Sequence, residues 1–125
     1  MTRILLIEDE IELRTMMYRL LTRESYLVAE AEDGRSAIIM LAREPFDLVI
    51  TDILMPETDG MEVIQTVRRL QPQTRILAMS GGGRNSSDLY LAMAARIGAH
   101  KVLAKPFAPE ALLRMVRELV WHPAD

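Results

Sequence analysis

Apolar positions follow two rhythms that alternate along the chain. Short, nearly continuous runs occur at RILLIE (3–8), YLVAEA (26–31), FDLVITD (46–52), RILAMS (75–80) and KVLA (101–104). Runs of that length suit strands, and unbroken apolarity suits strands buried on both faces. Between them the apolar residues spread to intervals of three and four, the spacing of one helical face. Leu13, Met16, Met17 and Leu20 mark such a face in IELRTMMYRLLTRES (11–25), as do Ala37, Ile38 and Leu41 in GRSAIIMLARE (34–44). Val63, Ile64, Val67 and Leu70 mark it in GMEVIQTVRRL (60–70), with Asp59 as the expected N-cap. A fourth helix is predicted in SSDLYLAMAARIGA (86–99), ended by Gly98. The fifth, APEALLRMVRELVW (108–121), carries Pro109 in its first turn and buries Leu112, Leu113, Val116 and Leu119.

Five strands alternating with five helices predict an α/β fold: a five-stranded parallel sheet, doubly wound as (βα)5. Crossovers of one hand leave few topologies. Ligands of such sheets sit beyond the carboxyl ends of the strands, at the switch point of strand order. The residues at those ends are therefore the ones to weigh.

Glu8, Asp9 and Glu10 follow the first strand, and Asp52 ends the third. Ser80 ends the fourth, and Lys105-Pro106 follows the fifth. Carboxylates crowded into a partly buried site repel one another, and a hard divalent cation makes the crowding tolerable. Mg²⁺ favours oxygen ligands, typically one or two carboxylates with waters and a phosphoryl oxygen. Asp9 and Asp52 suit direct ligation, Glu8 reaches through water, and the backbone carbonyl of Leu54 adds an oxygen. Lys105 and Ser80 then suit two further oxygens of a phosphoryl group. The nearest strong nucleophile is Asp52 itself, and a carboxylate can form an aspartyl phosphate. Such transfers need little beyond in-line positioning and charge neutralisation.

Each of these residues has a plainer reading. Asp52 alone could simply end a strand, and Glu8 and Asp9 could cap the first helix, where acids are favoured. Lys105 could be a solvated lysine, and Ser80 an ordinary turn serine. Their joint position at the correct strand ends outweighs those readings. Gly81-Gly82-Gly83 suggests a phosphate loop, but no GxxxxGK[ST] pattern accompanies it. His100 and His122 stand apart from other ligands and read as no metal site. Trp121 is either a packing residue or an exposed end.

Composition narrows the field. The chain has 125 residues, enough for one domain, and half of them are hydrophobic, which supports a substantial core. Its net charge of -3 argues against direct nucleic-acid binding. With no cysteine there is no thiolate chemistry. No apolar run is long enough for membrane insertion, and MTRILLIEDE is too acidic for a signal peptide, so a cytoplasmic location is expected. The nine methionines read as core gap-fillers.

The chain resembles the receiver domain of bacterial two-component response regulators over essentially its whole length. The resemblance rests on Glu8-Asp9, on Asp52 with Pro56 and Gly60, on Ser80, and on Lys105-Pro106-Phe107. It implies a flavodoxin-like strand order 2-1-3-4-5, with residues 1–125 a single receiver domain and no effector domain. It implies a phosphoacceptor at Asp52, Mg²⁺ at Asp9 and Asp52, and a phosphate-sensing pair of Ser80 and Lys105. It also implies a histidine kinase or histidine phosphotransfer protein as donor, and a downstream protein target met by the face from helix 4 to helix 5. A cis Lys105–Pro106 peptide, which would aim the lysine amine back at Asp52, is expected too. Such a chain is a signalling phosphoacceptor that assists its own phosphoryl transfer rather than an enzyme.

Two positions depart from the family pattern. Val102 stands three residues before the lysine, where an aromatic side chain is common. The segment between Ser80 and Lys105 is lengthened around GGGRNSS. Output is therefore expected to run through that glycine-rich loop and the fourth helix. Alternatives are a degenerate receiver that binds partners without phosphorylation, a haloacid-dehalogenase-type phosphatase and a flavodoxin-like flavin carrier. The phosphatase class carries a second acid two residues past the nucleophile, where Leu54 stands here. The flavin carrier wants a hydroxyl-rich loop after the first strand, where EDEIEL is acidic.

Overall fold

Side chains alternate across a strand, so a strand apolar on both faces supplies two cores. The computed structural model describes residues 1–53, 60–81 and 92–121 and realises that arrangement in the three central strands, while the two edge strands are only partly buried. The strands are β1 (Arg3–Ile7), β2 (Leu27–Ala31), β3 (Leu48–Asp52), β4 (Arg75–Ser80) and β5 (Lys101–Ala104). The helices are α1 (Ile11–Arg23), α2 (Gly34–Arg43), α3 (Gly60–Leu70), the helical residues 92–97 of α4, and α5 (Pro109–Val120). All strand pairs are parallel, in the order β2-β1-β3-β4-β5.

Ile4, Leu6, Leu48, Ile50, Leu77 and Met79 face one core, closed by Met17 and Leu21 of α1 and by Leu112, Val116 and Leu119 of α5. Leu5, Ile7, Val49, Ile76 and Ala78 face the other, closed by α2, α3 and Ala94 of α4. Each fully buried aliphatic side chain contributes about 1.5–3 kcal/mol, so two such layers hold the sheet between its helices.

The helical faces differ in detail from the expected ones. Leu21, not Leu20, is the fully buried leucine of α1; Leu13, Met16 and Leu20 pack at its margin. Ile38 and Leu113 are half-buried. Leu70 is exposed, because α3 ends there and Gln71 turns inward in its place. The Gln71 side chain donates to the carbonyls of Leu41 and Glu44 and accepts from the Phe46 N–H, tying the end of α2 to the approach to β3. Gly98 follows the last turn of α4 with φ of 141°, and its N–H and that of Ala99 both reach the Ala94 carbonyl. Trp121 is an exposed end. Asp59, Leu54 and the segment 82–91, with the expected cap, carbonyl ligand and glycine-rich loop, lie outside the described residues, as does His122.

Candidate functional site

Strand register brings the chemistry together. Ile7 pairs with Thr51, so β1 and β3 leave the sheet at one level, β1 into Glu8-Asp9 and β3 at Asp52. Ser80 pairs with Ala104, and the Lys105 N–H donates to the Ser80 carbonyl, which extends the β4–β5 ladder by one bond. Side chains that follow β1, β3, β4 and β5 thus meet at one edge of the sheet.

Lys105 is the centre of the cluster. Its Nζ lies 2.6 Å from Asp52 Oδ2 and 2.6 Å from Glu8 Oε1. Glu8 is fully buried, Asp52 is 5% exposed, and Asp9 stands exposed at the rim. Burial lifts the Glu8 carboxyl above its usual range, opposed by hydrogen bonds from Lys105 and the Glu10 N–H. Burial by itself would lower the Lys105 ammonium, but hydrogen bonds to Asp52 and Glu8 outweigh it and hold that group above its usual value. The ammonium stays charged because it is shared between two acids.

Local backbone shapes the site. The Lys105–Pro106 peptide is cis, as expected from the sequence. At Gly60 a Cβ would stand 2.3 Å from the Asp52 carbonyl oxygen, so only glycine lets the start of α3 rest on the end of β3. At Gly81 a Cβ would stand 2.9 Å from Lys105 Cβ; the lysine stem lies across that glycine. Glu8 and Asp9 do not cap α1. Glu10 is its N-cap and makes no side-chain cap bond; instead its N–H donates to Glu8 Oε2 at 3.1 Å. The Lys105 ammonium and the Glu10 N–H therefore both claim Glu8, and it points into the site rather than along the helix.

Glu8, Asp9 and Asp52 each offer a carboxylate oxygen within 4.8 Å of the others, the only acidic or histidine cluster of that kind among the described residues. Three hard oxygen donors with an exposed rim for water fit a small divalent cation such as Mg²⁺. Ser80 is fully buried beside them at the end of β4. Val102 is half-buried against the α2–α3–α4 core. His100 joins no metal cluster: its Nδ1 accepts the Ile76 N–H at 3.0 Å. Sequence reasoning missed that bond, the Gln71 bonds and Arg14, which donates to the Glu8 carbonyl. The one sequence cue for Arg14 was its place one turn after the acids.

Comparison with known proteins places these observations. The family model described as "Response regulator receiver domain" matches residues 4–117. The chain is 32% identical to the response regulator receiver protein CpdR of Brucella abortus, with 96% of this chain and 98% of that protein covered. It is 32% identical to the chemotaxis protein CheY of Bacillus subtilis, covering 93% and 95% of the two. It is 31% identical to the transcriptional regulatory protein ResD of Bacillus subtilis, of which it spans about half (48%) while 95% of this chain is covered. Among solved structures, the chemotaxis response regulator CheY4 of Vibrio cholerae aligns with a TM-score of 0.81 at 32% identity, covering 95% and 98%. A CheY-like receiver domain protein from Methanospirillum hungatei reaches 0.86 at 23% identity, covering 96% and 94%, a likeness of fold.

Proposed function

The chain belongs to the response regulator receiver domain family, and on that premise we propose that it is the phosphoacceptor module of a two-component or phosphorelay system, with Asp52 as the acceptor. The supporting observation is the Lys105 ammonium held 2.6 Å from both Asp52 and Glu8 at the sheet edge. A histidine kinase or histidine phosphotransfer protein supplies the phosphoryl group. A carboxylate oxygen of Asp52 forms the new O–P bond as the P–N bond of the donor phosphohistidine breaks. The bonding pair goes to the imidazole nitrogen, which takes a proton from water.

Asp9 and Asp52 would hold Mg²⁺ directly, Glu8 would do so through water, and the carbonyl of Leu54 would complete the protein ligands. Bound there, the cation neutralises phosphoryl charge, the main requirement of such a transfer. Lys105 stays cationic throughout and exchanges its bond to Asp52 for one to a phosphoryl oxygen. The Ser80 hydroxyl donates to another oxygen from the end of β4. Those two movements carry the change to the surface between α4 and α5, where a downstream protein reads it. The module works in the cytoplasm as a signalling phosphoacceptor that assists its own phosphoryl transfer and dephosphorylation.

Intact mass after incubation with acetyl phosphate tests the reading. One phosphoryl adduct is expected with Mg²⁺ and none with a chelator. Labelling of Asp52→Asn equal to that of the parent would sink the assignment.

A further inference from the structure

Arg14 stands one turn into α1, on the side of the helix that faces the acidic loop. Its guanidinium donates to the main-chain carbonyl of Glu8 at 2.8 Å, and its Nε lies 3.4 Å from Glu30 Oε1 in β2. The Arg14 side chain is only 17% exposed, so the bond is largely sheltered from competing water. The Glu8 N–H is also held, by the Ala31 carbonyl at 3.1 Å. Arg14 thus joins three parts of the fold: the end of β1, the first turns of α1 and β2.

The Glu8 carbonyl matters because a peptide unit is planar. Its oxygen, the Asp9 nitrogen and the Asp9 Cα move as one rigid plate. Anchoring the oxygen fixes where Asp9 begins, although the Asp9 side chain itself is exposed. A planar guanidinium presents two donors at a set angle, which a lysine cannot do. We propose that Arg14 is the positioning residue of the acidic cluster, setting the Glu8–Asp9 peptide plane so that the Asp9 carboxylate faces Asp52 at cation-binding distance, with Glu30 holding the guanidinium in place. The proposal rests on the phosphoacceptor reading for the cation's role.

Charge alone makes the opposite forecast. A guanidinium bonded to the main chain beside the acidic cluster adds positive charge there, so removing it would tighten Mg²⁺ binding if positioning were unimportant. Calorimetric Mg²⁺ titration of the full chain separates the two. Arg14→Lys keeps the charge and is expected to weaken Mg²⁺ binding by about ten-fold, the usual scale for losing an outer support of a ligand. Arg14→Met is expected to bind as weakly, despite losing a positive charge. Glu30→Gln loses a smaller part. In the metal-free protein, Arg14→Lys speeds amide exchange at Asp9 and Glu10.

Affinity unchanged in Arg14→Lys, with only a lower Tm, would reduce Arg14 to a structural role and overturn the inference. Tighter binding by Arg14→Met would overturn it in favour of charge. A parent chain that gives no Mg²⁺ binding heat would strike the phosphoacceptor reading first, and this inference with it.

Discussion

At position 105 one ammonium serves two buried carboxylates. Glu8 is fully buried, whereas the Lys105 side chain keeps 16% of its surface. Lys105→Met preserves the stem and removes the charge. It is expected to cost about 1–3 kcal/mol at neutral pH, the penalty for leaving a buried polar group without its partner. The loss depends on pH in a definite direction. Burial raises the folded Glu8 above its ordinary 4.5, so its neutral form is favoured in the fold. Its contribution is fully present below 4.5 and is lost as the pH rises through the folded value. Urea unfolding of the variant should therefore show a deficit that grows from pH 4.5 to neutrality; a constant deficit would clear Glu8 of the effect. Asp9 behaves differently, being exposed. Asp9→Asn is expected to weaken Mg²⁺ binding while the metal-free fold gains no more than about 1 kcal/mol from relieved repulsion. Calorimetry with unchanged affinity would show that Asp9 is no ligand.

At the scale of elements, two junctions set the geometry. The start of α3 rests on the end of β3 through Gly60, whose N–H donates to the Ile53 carbonyl at 2.7 Å. A Cβ there would meet the Ile53 Cα at 2.5 Å, and the three atoms nearest it are all backbone, so none can swing aside. Gly60→Ala is expected to destabilise by about 2–4 kcal/mol, at the upper end for a single substitution. Denaturant unfolding measures this, and a loss within the ordinary scatter of surface changes would mean that α3 shifts freely. The second junction is His100, between the end of α4 and the start of β5. Its Nδ1 must be unprotonated to accept the Ile76 N–H. Burial first, then Arg75 and Arg68, hold the imidazole below its usual 6.5. A lowered folded value means that the contribution is present above 6.5 and is lost as the pH falls through the folded value. His100→Asn offers a carbonyl oxygen near the Nδ1 position without titrating. The variant should lose less Tm than the parent as the pH drops below 6.5; identical acid profiles would exclude His100. The strand ends were legible at this scale, because Asp52 and Lys105 each follow an apolar run. His100 was not, because its partner lies 24 residues away on another strand.

For the whole molecule, a cation that binds only the folded chain must raise its stability. The increment is RT ln(1 + [L]/Kd), about 2.7 kcal/mol at a hundred times Kd. Thermal unfolding should therefore rise with Mg²⁺ in the parent and stay nearly flat in Asp9→Asn and Asp52→Asn. A chelator should return the parent to its metal-free Tm without unfolding it, since Lys105 already offsets the acids. No helix among the described residues is long and apolar enough to cross a membrane. The number of strands, their alternation with helices, and the identity of the residues leaving each strand were set by the sequence itself. Apolar period reports directly which faces are buried, and a parallel sheet gathers its carboxyl ends without further instruction. What the tertiary structure alone decided was who bonds with whom. Lys105 and Glu8 are 97 residues apart, and their meeting depends on β1 and β5 lying on either side of β3 and β4 in register. Leu70 fell outward and Gln71 inward because a helix end answers to the groups it packs against, not to its period. Arg14 turned toward a main-chain carbonyl, a partner present at every residue and so invisible in any pattern of side chains. Pairings between distant polar groups follow from register and rotamer, and neither is written in local spacing.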